Sequence, residues 1–428
     1  MREFGQYYSD QHTEAIGAPP GAPAADMPAG SSGYAPPTGG YGPPSGGGWQ
    51  YPPPPSPPPK KRGVLIAVIA VIALLVAAAA VGLTLWLTRD GGTGGGTPSA
   101  APPPVNPGGG PITPGKKTIP IAKSVAKPTV GDTVPVGPTP GYMEISPDGS
   151  FGYIANRAAG VLTVFDTTRK TVTGTIPVPD GGPQFVAFSP DGSRAYVSIF
   201  NNDYTLNEVG VLDTATNTFI TSVPVGVRPF ALDVTPDGKK VYVPNHDSGS
   251  ISVIDTASNT VVNTIQVAPN PHWVDISEDG TRLFAANHES NVISIIDLTN
   301  DTVLTTVPVG KSPHSILRLK DKPLVINVNY DDSSISVTDL ESGKVIRTVP
   351  TGAHPQDITM AADGKHAYIA TVDDNAVQVL DTNTFEITAT VPTGRSPTSV
   401  AVGPDGRQAY VTNLADGTIT VLNIAGTA

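Results

Sequence analysis

Histidines and carboxylates recur in one stretch of this 428-residue chain at a spacing that could build a site. His246 and His288 are 42 positions apart, as are His272 and His314, and Asp247, Glu289, Asp331 and Asp373 form a row with the same interval. His354 falls in the same stretch. Neutral imidazole beside carboxylate can ligate a divalent metal or serve as a general base. Phe230, Trp273 and Tyr330 could line a ligand groove, although blade packing accounts for the first two more simply. Cysteine is absent, which removes disulfides, thiolate metal sites and cysteine nucleophiles. There is no HxxH pair, no Gly-rich phosphate loop, no GxSxG elbow and no recognisable triad, so no cofactor is expected and the metal is left open.

What positions these residues is a repeat. An Asp recurs at 148, 191, 237, 279, 321, 363 and 405, and a Pro at 140, 183, 229, 271, 313, 355 and 397, both stepping by 43, 46, 42, 42, 42 and 42 residues. Each repeat predicts four short antiparallel strands, such as Trp273–Ile276, Arg282–Asn287, Val292–Asp297 and Thr302–Val307, with Ser277-Glu278-Asp279-Gly280 as the first turn. Such a unit cannot bury both faces alone, so copies must stack, and radial stacking makes an all-β, seven-bladed propeller. The last repeat supplies only three strands. Thr133-Val134-Pro135-Val136-Gly137 repeats the fourth-strand ending Thr306-Val307-Pro308-Val309-Gly310 letter for letter, so the two termini are expected to share one blade and close the ring.

The second-strand texts Val241-Tyr242-Val243-Pro244-Asn245 and Ala409-Tyr410-Val411-Thr412-Asn413, with Val253-Ile254-Asp255-Thr256, resemble the YVTN family of β-propeller repeats over residues 129–428. Other copies depart from the motif, as in Phe284-Ala285-Ala286-Asn287. The resemblance implies a seven-bladed propeller of the kind found in secreted, surface-layer and periplasmic proteins, and it implies no single activity. The recurring Asn at 156, 245, 287, 329 and 413, and the Asp at 166, 213, 255, 297, 339 and 381, read as architecture, because their side chains can bond nearby backbone. Departures from the repeat are therefore the informative positions.

The histidines are expected in loops on one face of repeats three to six. His246 and His288 follow second strands, His272 and His314 follow the inter-blade Pro, and His354 precedes it. Two accounts stay open: a binding or metal site, or near-duplicate repeats that copied a surface His and acid into a hydrated rim. The insertion Phe200–Glu208 in the second repeat is expected to lengthen a loop on the same face.

Four segments are expected. Residues 1–62 form a Pro/Gly/Tyr-rich cytoplasmic tail, solvated or serving as a polyproline ligand or clustering segment. Residues 63–88 are uncharged and apolar, long enough for one transmembrane helix, with Lys60, Lys61 and Arg62 placing the N-terminus inside. A cleaved signal peptide is the competing reading, but its apolar core would be shorter and nearer the start. Residues 89–118 form a Gly/Pro-rich stalk and 119–428 the propeller. The propeller segment carries 19 basic and 32 acidic residues, a poor partner for nucleic acid or anionic lipid. The expected function is a non-enzymatic, extracytoplasmic binding or sensing scaffold for a protein, glycan or cell-wall ligand. The alternative is a metal-binding or hydrolase/lyase-type propeller using the loop His and acids.

Overall fold

The computed structural model describes residues 119–426. The tail, span and stalk expected before residue 119 lie outside these described residues, and among the described residues no helix is long and apolar enough to cross a membrane. Among the described residues, twenty-eight strands form seven four-stranded antiparallel sheets, in the expected order. Six sheets use consecutive strands. The seventh joins the final strands Pro397–Val402, Gln408–Asn413 and Thr418–Ala425 to the first, Ser124–Pro135.

The register of that closure is Thr133↔Thr420, Val134↔Ile419 and Pro135↔Thr418. The closing strand is longer than the motif suggested, beginning at Ser124. Its start is tied to the sixth blade: Ser124 donates its N–H to Asp363 Oδ2 at 2.8 Å and its hydroxyl to Oδ1 at 2.7 Å. Because that hydroxyl proton is spent on Asp363, His366 Nδ1, 2.6 Å away, is the donor to the Ser124 oxygen.

Burial explains the sequence texture. The middle strands, such as Arg282–Asn287 and Val292–Asp297, are buried almost throughout because blades cover both their faces. Most outer strands are largely exposed except near the end, as in Thr302–Pro308 where Val307 is buried and the rest is open. The apolar clusters span neighbouring blades: Tyr242, Ile251 and Val253 pack with Val274, Leu283 and Ile296. The recurring Asn is a hub. Asn245, Asn287, Asn329 and Asn413 are fully buried, and each donates from Nδ2 to the hydroxyl seven positions on, at 2.9 Å. Gly310 is held to glycine by this device, since a Cβ there would lie 2.5 Å from Asn329 Cγ. The Asp residues cap turns, as where Asp279 accepts the Thr281 N–H at 3.0 Å.

Three local expectations change. The inner strand of the third blade is only Asp233–Val234, because the residues before it turn to the next blade: Ala231 donates its N–H to the His272 carbonyl at 3.1 Å and accepts from Val274 at 3.1 Å. The insertion is shorter than Phe200–Glu208. Phe200 ends one strand, Asn207 and Glu208 begin the next, and residues 201–206 form the loop. In the fifth blade Lys322 replaces the turn glycine, and the left-handed conformation moves to Asp321.

Deleting residues 119–137 leaves the Thr418–Ala425 edge unpaired. At about 1 kcal/mol per ladder hydrogen bond lost, the thermal midpoint should fall by roughly 10–20 °C and aggregation should rise. Differential scanning calorimetry checks this, and an unchanged midpoint would contradict closure by this strand.

Candidate functional site

Strand ends decide which side chains reach the axis. Outside the third blade, the inner strands begin at or beside the inter-blade Pro with an irregularity in register, as between Pro271 and Trp273 or Pro183 and Phe185. This turns the first residue after the Pro inward. The outcome corrects the sequence reading for two residues: His272 and His314 lie within inner strands and are 3% and 0% exposed. His246 and His288 do lie after second strands, yet they are buried too. A hydrated rim of surface histidines is therefore excluded. His354 alone of the five is substantially open.

The rings form one arc. Phe230 lies 4.4 Å from His272, His272 4.4 Å from His314, His314 5.0 Å from Tyr330 and Tyr330 4.7 Å from His354, the last two pairs stacked. His288 is 4.7 Å from His314, and His246 is 6.1 Å from His288 and 6.2 Å from His272. Beside the arc an aromatic plug crosses the axis. Tyr142 of the first blade stacks on Phe185 at 3.8 Å and meets Trp273 of the fourth at 5.2 Å, while Gln356 Nε2 donates to the Tyr142 hydroxyl at 2.8 Å. The insertion joins this surface through Arg228, whose guanidinium lies 5.2 Å from the Tyr204 ring.

The acid row follows a pairing rule. In six blades the residue before the inter-blade Pro has positive φ, from 51° at Thr139 to 62° at Asn270. In three of them its side chain meets the acid 19 positions later. Arg228 pairs with Asp247 at 3.0 Å, the Ser312 hydroxyl donates to Asp331, and His354 Nδ1 lies 2.6 Å from Asp373. The fourth blade departs. The Asn270 side chain lies against His246 instead, its Nδ2 3.3 Å from Nδ1, a packing contact because the Nδ1 proton goes to Asp247, and Glu289 is exposed and in no hydrogen bond or ion pair among the described residues.

Three of the imidazoles, His272, His288 and His314, are neutral by environment. Burial, with the neighbouring histidines, holds His272 and His314 well below the usual imidazole range and brings His288 to about 4. Tautomers are set by acceptors: His246 Nδ1 lies 2.7 Å from Asp247 Oδ1, and His272 Nδ1 lies 3.4 Å from the His314 carbonyl oxygen, so both carry their proton on Nδ1. Among the described residues, His246, His288 and Glu289 bring one ligand atom each to within 4.8 Å of one another. His272 and His314 do not join that group.

Sequence reading missed Arg228, Tyr142 and Phe185. Arg228 occupies the same pre-Pro position as His354, so the same search for departures could have found it. It also missed four carboxylates deeper along the inner strands. Asp233 accepts the Ile276 N–H at 2.9 Å, Asp275 the Arg318 N–H at 2.8 Å and Asp357 the Val400 N–H at 2.9 Å, each clasping the next blade. Removal from bulk water pushes Asp233 and Asp357 up to about 6 and, with the Asp233 charge added, Asp275 up to about 8. Glu144 keeps an open surface but is ringed by protein, which fits a side chain facing the axial lumen. It is pushed up by the same withdrawal from bulk water and by Asp233 and Asp357.

Residues 242–396, which include most of the arc, match the family described as Choice-of-anchor I domain. The chain is similar to Antigen Lp49 of Leptospira interrogans, 32% identical over 101 residues, covering 21% of this chain and 22% of that protein. It is also similar to the seven-bladed beta-propeller protein Rv1057 of Mycobacterium tuberculosis, 30% identical over 103 residues, covering 24% and 26%. The chain thus matches about a quarter of the length of these curated relatives. Among solved structures, the Kuenenia stuttgartiensis hydrazine synthase superposes with a TM-score of 0.61 at 25% identity, covering 68% of this chain and 96% of that one. Together with the seven sheets, these likenesses establish a seven-bladed β-propeller.

A carboxyl whose folded pKa is raised takes up a proton on folding, so its contribution falls as pH rises from about 4 to about 8 for Asp275. Asp275→Asn removes that titration and can keep an acceptor for Arg318. It should raise the thermal midpoint at pH 8 by roughly 2–4 °C and change little at pH 5, measured by calorimetry across pH. An equal effect at both pH values would refute the assignment.

Proposed function

We propose that the chain is a membrane-anchored, extracytoplasmic binding or sensing scaffold, of the YVTN repeat type, whose stacked arc receives a protein, glycan or other cell-envelope ligand. The observation that carries this reading is the continuous run of rings on one face, Phe230, His272, His314, Tyr330 and His354, with adjacent centres 4.4–5.0 Å apart. Aromatic faces stack on apolar rings or sugar faces, and the carboxylates Asp247, Glu289, Asp331 and Asp373 around them can accept from hydroxyl or amide groups. The buried members make a rigid floor, while Tyr142, Trp273, Tyr204 and His354 keep surface open to a ligand. Nothing in the arc pairs a nucleophile with a base, which favours binding over catalysis.

The apolar run at 63–88 and its basic N-terminal flank support one anchoring helix with the propeller outside. A relative named an antigen and a matching domain named for anchoring support the same placement. Reporter fusions test it: alkaline phosphatase should be active when joined after residue 118 and silent after residue 62, and the reverse pattern would reject the topology.

Ligand capture is tested by co-sedimentation of the protein with cell-envelope fractions. Tyr330→Ala and His354→Ala together should weaken retention about tenfold, as expected for losing one or two stacking contacts. Lys239→Ala, on a turn at the far end of an inner strand, should leave it unchanged. Equal retention of all three proteins would reject the arc as the docking surface.

A further inference from the structure

The face read above as a docking surface also carries a feature that stacking alone does not explain. Three potential ligand groups come from two consecutive blades: His246 follows the strand Lys240–Asn245, and His288-Glu289 follow Arg282–Asn287. Their ligand atoms lie within 4.8 Å of one another. Tetrahedral ligands 2.0–2.2 Å from an ion are about 3.3–3.6 Å apart, so a movement of about 1 Å, mostly by the exposed Glu289, closes the set. We infer that His246, His288 and Glu289 bind one divalent first-row transition ion of the Zn²⁺ type, leaving a coordination position open to a ligand on this face.

Three details of the chain agree. First, His246 Nδ1–H donates to Asp247 at 2.7 Å, which leaves Nε2 as its basic nitrogen, and Arg228 holds Asp247 at 3.0 Å. A carboxylate behind a histidine is the usual outer support of a metal ligand, fixing both tautomer and ring angle. Second, the His288 backbone N–H donates to the Asn270 carbonyl at 2.8 Å, which fixes the loop that carries both His288 and Glu289. Third, Glu289 breaks the pairing rule of its row. Asp247, Asp331 and Asp373 are each engaged 19 positions from a partner, whereas Asn270 has turned to His246 and Glu289 is uncommitted.

The donor set of two imidazoles and one carboxylate selects Zn²⁺, Cu²⁺ or Ni²⁺ over Ca²⁺ or Mg²⁺, which prefer oxygen. His272 and His314 stand behind the group as a dry aromatic wall, which strengthens ion–ligand attraction by excluding water. The inference rests on the docking reading only for the use of the open position.

The test uses the full-length protein, stripped with chelator and titrated with Zn²⁺ alone by calorimetry, with elemental analysis of the product. One tightly bound ion per chain is expected. Glu289→Gln, at an exposed position, should bind at least tenfold more weakly with an unchanged thermal midpoint in the absence of metal. Asp247→Asn should lose 10–100-fold, the usual effect of removing an outer partner. Co²⁺ in place of Zn²⁺ should give visible absorption of a low-coordinate N/O site, absent in Glu289→Gln. No bound ion in the wild type, or equal affinity in all three proteins, overturns the inference. Zn²⁺ binding with no envelope retention would sink the docking reading and leave the ion site standing. Retention lost in the Tyr330→Ala, His354→Ala double variant, with no Zn²⁺ bound by any form, would do the opposite.

Discussion

Every blade has two apolar faces and too few strands to hide either, and the rest of the molecule follows from that constraint. A four-stranded sheet whose central strands are buried throughout must be covered on both sides, and only another blade can do it. Seven such units satisfy one another in a circle, provided that the circle closes without a seam. The seam is closed by pairing Ser124–Pro135 with Thr418–Ala425, so that residues nearly 300 positions apart share one sheet. What remains open is the set of outer strands, whose exposed positions carry mainly Thr with scattered Val and Ile, blunting them against edge pairing.

Radial packing also gathers the candidate residues. Toward the rim only adjacent blades touch, as where Asn263 Nδ2 donates to Asp301; at the axis, inner strands crowd together and side chains from distant repeats meet. Tyr142 meets Trp273, and Glu144 feels Asp233 and Asp357, only because three blades converge there. Charges in so confined a space are costly, and the molecule answers in two ways. Three of its deep carboxylates accept backbone N–H groups of another blade, and the buried His272, His288 and His314 are held neutral and pack as tilted or edge-on aromatic rings. The second answer has a chemical by-product, a set of neutral nitrogen donors in dry surroundings.

Identical repeats cannot make a single site, so function must come from exceptions. The left-handed residue before each inter-blade Pro and the acid 19 positions later form a local rule, visible in Arg228 with Asp247 and in His354 with Asp373. Its exception, Asn270 with Glu289, lies where two histidines approach and where the inner strand of the third blade gives up its regular ladder for contacts with the fourth. Strand irregularity, an uncommitted acid and buried imidazoles coincide in one sector.

Spacing in the chain was enough to determine the number of blades, the strand order, the turn residues and the shared closing blade, because a fixed period and alternating burial admit few solutions. Departures from that period also singled out His246, His272, His288, His314, Tyr330 and His354, whose rings the fold brings into one connected set. Burial was misjudged for His272 and His314, because the irregularity after the inter-blade Pro, which turns those rings inward, leaves no mark in composition. Arg228 was missed although it stood in plain view, and Tyr142, Phe185 and the deep carboxylates were missed because their importance arises only across the axis. Protonation, tautomer and the meeting of ligand atoms belong to tertiary structure alone, since each depends on which blades face each other at the centre and on how much water they leave between them.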